Sequence, residues 1–238
     1  MFSIITPLDE ARLPQFVATK RAYDAMPQQK EFIVPTRSFI PVSAFLKEHK
    51  LDKDVRYISY QLDRGFNVSH ALNLGVLKAA YPQIIVTSPE VKPTTDVLTQ
   101  LAELVGKNVI CQVYDQDQDG NLTVLVSTGY RDKTPAMYFL AMFNKGDIEA
   151  INGWDEEFLK GYAYEDNDFG DRWARAGLPF EVHDEIQAVH QYHPRSETIH
   201  GGLATNLQHY HDNTDNGVIR CDNGMVKYGQ HRPERMEQ

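Results

Sequence analysis

The chain has 238 residues, 42% of them hydrophobic, which is enough for one sizeable core, and a formal net charge of -9. That acidity argues against non-specific attraction to nucleic acid or to an anionic membrane surface. Cys111 and Cys221 stand far apart in no metal-ligand spacing, which excludes a disulfide framework and suits a reducing compartment. The N-terminus has no basic segment leading into a long apolar run, and no stretch is long enough to span a bilayer, so the expectation is a soluble, cytoplasmic protein.

Taken in order, Phe2 to Pro7 is a β-branched apolar run that predicts a strand, with Asp9 as the cap of a helix reaching about Met26. Glu31 to Val34 predicts a second strand, and Val42 to His49 a helix. Val55 to Tyr60 then leads through Gln61 to Gly65 into a helix from about Asn67 to Ala80. Ile84 to Thr87 is a fourth strand, ending in the polar turn Ser88-Pro89-Glu90. This alternation indicates βαβ units and a mostly parallel sheet, in which ligands bind beyond the carboxyl ends of the strands.

Thr94 to Val105 predicts an amphipathic helix and Asn108 to Tyr114 a strand. Asp115 to Gly120 is superficially like a calcium loop but lacks the closing Glu, and reads as an acidic hairpin turn before Leu122 to Ser127. Met137 to Asn144 predicts a strand, while Phe180 to Val182 and Ala188 to His190 predict two short ones. From Ser196 the chain is polar and weakly periodic, so the expected organisation is one domain over 1–195 and a tail over 196–238 serving as lid, docking segment or partly disordered end. His209 and His211, with no evident partner acid, fall in that tail.

The most informative stretch is Ile151 to Trp173, which gathers acids and aromatics around one predicted helix start. A helix beginning near Asp166 places Glu165, Asp166 and Asp168 at its positive end and Phe169, Trp173 and Ala176 on one apolar face. Asp168 with Arg172, and Asp171 with Arg175, are spaced as i,i+4 pairs on the other side. Gly177 and Pro179 stop the helix.

Three segments together resemble the GT-A fold nucleotide-sugar glycosyltransferases, especially family 2 and the galactosyltransferase C-terminal domain. Gly153-Trp154-Asp155-Glu156, followed by Glu165, Asp166, Asp168 and Arg172, is similar to the family's acceptor-side segment. Gly65 to Gly75 is similar to its Asn-x-x-Arg-Ala-x-Asn-x-Gly helix, with His70 where Arg is common. Ile84 to Glu90 stands where the family carries its metal-binding Asp-x-Asp, here Ser88-Pro89-Glu90.

The resemblance implies an α/β, Rossmann-like single domain that transfers a sugar, UDP-linked, from a nucleotide-sugar donor to an acceptor hydroxyl. It implies Mn²⁺ or Mg²⁺ held by Glu90 and His190, with His193 and Arg195 as phosphate contacts. On an extended segment His190 and His193 would face opposite sides, so one of them is expected at the site. Asp166 is implied as the base of an inverting reaction, with Glu165 beside it. Thr6, Pro7, Arg64, Asn67 and Ser88 are implied to meet the donor, and Trp154, Tyr162, Tyr164 and Asp168 the acceptor or sugar. Other readings are a binding module without catalysis and a nucleotidyltransferase. The acceptor stays open between a glycan precursor, a protein, a small metabolite and a modified DNA base.

Overall fold

The computed structural model describes residues 1–61, 65–126, 139–160, 163–194 and 202–225. Strand β1 (Phe2–Ile5) leads through a short turn of 3-10 helix, whose cap Asp9 accepts the N–H of Ala11, into α1 (Leu13–Asp24). The alternation continues with β2 (Lys30–Thr36), α2 (Phe39–Glu48), β3 (Val55–Ser59), α3 (Val68–Lys78) and β4 (Gln83–Thr87). Both β1 and β4 are buried along their whole length, which is why each carries a β-branched apolar run, Ile4-Ile5 and Ile84 to Val86. A Cβ at Gly75 of α3 would lie 2.4 Å from Ile5, so only glycine lets this helix settle so closely on β1.

The second half is less regular. It contains β5 (Val91–Pro93), α4 (Val97–Ala102), β6 (Val109–Gln116), β7 (Leu122–Val126), β8 (Leu140–Asn144), α5 (Lys145–Ala150), α6 (Glu165–Arg175), β9 (Glu181–His190) and α7 (Leu203–Asp215). One nine-stranded sheet runs β3-β2-β1-β4-β8-β6-β9-β5, with β7 added to β6. Following the ladders, β1, β2, β3, β4, β6 and β9 point one way, and β5, β7 and β8 the other, so the expected mostly parallel α/β sheet is present.

This direction matters for the site. The carboxyl ends of β1, β4, β6 and β9 all emerge at one edge, with Ile5 opposite Val86 and Asp115 opposite His190. Thr6-Pro7, Ser88 to Glu90, Asp115 and His190 therefore leave the sheet on the same side.

Two expectations are corrected, and the tail gains a helix. The helix predicted over Thr94 to Val105 is only α4, started by the Asp96 side chain, which accepts the N–H of Thr99. The two short strands after Gly177 are one strand, β9: Cys111 pairs with His183 and Gln112 with Gln187, so Asp184 to Ile186 are looped out of the ladder and mask its continuity. Residues 202–225 contain α7, which packs along α6. Its buried positions are Asn206 and Asn213, so hydropathy conceals its inward face. No helix among the described residues is long and apolar enough to cross a membrane.

Candidate functional site

At the carboxyl edge of the sheet, Glu90 Oε1 lies 3.5 Å from His190 Nε2, 3.7 Å from His193 Nε2 and 3.8 Å from Arg12 Nε. The donor atoms of Glu90, His190 and His193 all fall within 4.8 Å of one another. Both histidines therefore converge, against the expectation that one would turn away. The reason is that β9 ends at His190 and the chain is then pinned. Gln191 donates its backbone N–H to the Glu90 carbonyl, and its side-chain amide to the carbonyls of Glu90 and Gln15 and the hydroxyl of Thr19 on α1. With the alternation of a strand broken there, His193 swings to the side of His190.

Burial alone would raise the Glu90 carboxyl, but the hydrogen bond and charge of His190, then the charge of Arg12, outweigh it and hold Glu90 below its ordinary value. His190 shows the counterpart: burial lowers it, and Glu90 and then Asp115 more than restore it, leaving it raised. Glu90 Oε2 is buried with no hydrogen-bond partner. Such an atom carries a desolvation penalty that a bound cation would remove. Two imidazoles and a carboxylate suit a first-row divalent ion such as Mn²⁺, whereas Mg²⁺ favours oxygen donors.

A second constellation is built on α6. Glu165 and Asp166 occupy its first turn, partly buried, after Ala163 and Tyr164, which sit at φ +63° and +71°. Burial pushes the Glu165 carboxyl up to about 8, with the Asp166 charge adding to the shift. Burial also raises Asp166, against the opposing hydrogen bond it accepts from the Asn167 N–H. The helix N-terminus favours anions by about 0.3–1 kcal/mol, too little to reverse the desolvation that raises both groups. Two adjacent carboxylates cannot both ionise freely, and burial disfavours the charged form of each.

Below this turn the acids are structural. Asp168 is fully buried, 2.6 Å from Arg172 Nε and 2.8 Å from the side-chain amide of Asn213. Arg172, equally buried, also donates to the carbonyls of Ile151 at 3.0 Å and Gly153 at 2.9 Å.

The comparisons with known proteins bear on the fold. Residues 135–200 match the family described as the N-terminal domain of galactosyltransferase. No curated protein matches the chain. A mannosyltransferase from Pyrobaculum calidifontis, solved with GDP-Man and Mn²⁺, superposes with TM-score 0.67 at 15% identity, over 90% of this chain and 64% of that one. S. aureus TarS 1–349 superposes with TM-score 0.70 at 9% identity, over 95% of this chain and 67% of that one. Its complex with UDP-GlcNAc gives TM-score 0.69 at 8% identity, over 95% and 68%. The fold is that of the GT-A glycosyltransferases. The chain spans under two thirds of the mannosyltransferase it resembles and 41% of the chain in a longer TarS structure.

Within this GT-A fold the residues singled out from sequence separate clearly. Thr6, Pro7 and Ser88 lie buried at neighbouring strand ends. Asn67 caps α3 by accepting the His70 N–H, and donates to the Glu156 carbonyl at 3.3 Å, so its polar atoms serve the scaffold. Asn73 braces the same loop, accepting the Trp154 N–H and donating to the Trp154 carbonyl and to Glu156. Two sugar-contact expectations are corrected. Trp154 is fully buried, stacked on Phe169 at 4.0 Å, and Asp168 is locked in the interior by Arg172, so neither presents a surface to a sugar.

Tyr164 is partly buried and stacks on Tyr210 of α7 at 5.6 Å. Arg64, Tyr162 and Arg195 lie outside the described residues. The i,i+4 pair expected of Asp171 and Arg175 is replaced by other bonds: Tyr210 donates to Asp171 and Arg175 donates to the Val218 carbonyl. His209 does have a partner acid, Asp155 at 2.8 Å, which a linear reading could not find because the two residues are brought together by α7 docking.

Proposed function

We propose that this chain transfers a sugar from a nucleotide-sugar donor to an acceptor hydroxyl, with inversion, and with Mn²⁺ held by Glu90, His190 and His193. The observation that carries the reading is the convergence of these three side chains, one with an orphaned carboxylate oxygen, at the carboxyl edge of a GT-A sheet beside Thr6 and Ser88. When bound, the ion supplies positive charge against the departing diphosphate. Asp166 is the base that takes the acceptor proton. Its raised affinity for a proton suits that task, because general bases work best near the operating pH. Glu165, protonated, donates a hydrogen bond to a sugar hydroxyl and keeps the pair at a single negative charge. Tyr164, which immediately precedes these acids, lines the acceptor side.

UDP is the favoured nucleotide and a hexose the favoured sugar; the relatives bind GDP-Man and UDP-GlcNAc. A second reading, a nucleotide-sugar binding module without turnover, is motivated by Ser88, which stands where the first acid of the metal motif is expected. A thermal-shift screen of nucleoside diphosphates and nucleotide-sugars with and without Mn²⁺, followed by assay of the stabilising donors for hydrolysis, separates them. Metal-dependent stabilisation with turnover supports the transferase. Stabilisation without turnover across acceptors supports the binding module.

A further inference from the structure

We propose that Asp115 is a positioning residue for the metal site, holding His190 so that its Nε2 faces Glu90 and His193. This inference rests on the reading of those three residues as the metal site, and it assigns a role to an acid that the sequence places in an ordinary hairpin turn. Asp115 Oδ1 lies 2.9 Å from His190 Nδ1. The contact is set by the sheet: Asp115 of β6 is the ladder partner of His190 in β9, which on its other side pairs with Val91, the residue after Glu90. Three adjacent strands thus bring the acid, the imidazole and the metal-binding carboxylate into line.

A neutral imidazole carries one N–H and one lone pair. A carboxylate at Nδ1 keeps the hydrogen there and leaves the lone pair on Nε2, the atom 3.5 Å from Glu90. The ring is also flanked by Phe139, edge-on at 5.7 Å, and by the His193 ring at 5.2 Å. These contacts limit its tilt but do not distinguish one nitrogen from the other. Asp115 does, and its own carboxylate is not among the converging donor atoms. Its side chain is 40% exposed, so replacing it opens no hole in the core.

The test is isothermal titration of the full chain with Mn²⁺ alone, comparing wild type with Glu90→Ala, Asp115→Ala and Asp115→Asn. Asp115→Ala is expected to weaken Mn²⁺ binding by roughly 10- to 100-fold. Asp115→Asn, whose side-chain oxygen still accepts the Nδ1–H, recovers most of that loss. If wild type binds and Glu90→Ala does not, but Asp115→Ala binds like wild type, the positioning role is overturned and the metal site stands. An Asp115→Asn as weak as Asp115→Ala likewise overturns the hydrogen-bond role. If wild type takes up no Mn²⁺, the metal reading falls and this inference with it.

Discussion

At the carboxyl edge of the sheet, Glu90 leaves one carboxylate oxygen without a partner, while two imidazoles stand 3.5 and 3.7 Å from the other. Along the α6 wall, by contrast, Asp168 is satisfied by Arg172 and Asn213, and Arg172 by Asp168 and two backbone carbonyls. Both regions bury charge, yet one is incomplete and the other closed. A buried polar group left unpaired costs about 1–3 kcal/mol, which a fold retains at a site that a ligand completes. The closed network has a different task, to hold the segment from Ile151 to Glu156 and the first turn of α6 at fixed places. Gly153 shows how tightly: at φ +68°, a Cβ there would lie 2.3 Å from the Asn73 side-chain oxygen.

Breaking the chemistry without the scaffold should have the largest effect. Asp166→Asn keeps the shape of the first turn and is expected to lower turnover by about 10²–10⁴-fold, with nucleotide binding nearly unchanged. Steady-state transfer assays paired with UDP titration check it; near-normal transfer would remove Asp166 as the base. Breaking the scaffold comes next. Arg172→Met strands the Asp168 charge in the interior and should cost about 3–5 kcal/mol in chemical denaturation, without removing any group from the metal corner.

At the metal corner, His193→Ala is expected to weaken Mn²⁺ binding while leaving the denaturation midpoint of the metal-free protein almost unchanged. A large loss of stability there would mean that the corner is closed like the wall. The smallest effect concerns pH. Glu165 binds its proton more tightly in the folded chain than in the unfolded one, so folding stability falls as pH rises from its ordinary range toward about 8. Glu165→Gln should flatten that slope in denaturation curves collected across this window. Because the side chain is partly open to water, the slope is shallow.

The same contrast explains what the sequence made legible. The βαβ half was readable because buried parallel strands such as Ile4-Ile5 and Ile84 to Val86 are continuous apolar runs, and because Asp9 and Asn67 are ordinary helix caps. The acid helix was readable from its stop signals and its Phe169 and Trp173 spacing. That Asp168 and Arg172 face inward was not, since their burial depends on where α7 and the loop from Ile151 come to rest. The roles of His193, Asp115 and Gln191 depend on the sheet register and on where β9 ends. Helix α7 escaped notice because it docks through asparagines, His209 and Tyr210 rather than through leucines.

The central claim is that Glu90, His190 and His193 form a metal site that couples to nucleotide binding. Measuring the melting temperature with UDP, with Mn²⁺ and with both, for wild type and Glu90→Ala, tests it most directly. The expected result is a UDP-induced rise in wild type that grows with Mn²⁺, and a response in Glu90→Ala that Mn²⁺ does not change. Equal Mn²⁺ dependence in the two proteins, or none in wild type, would contradict the account.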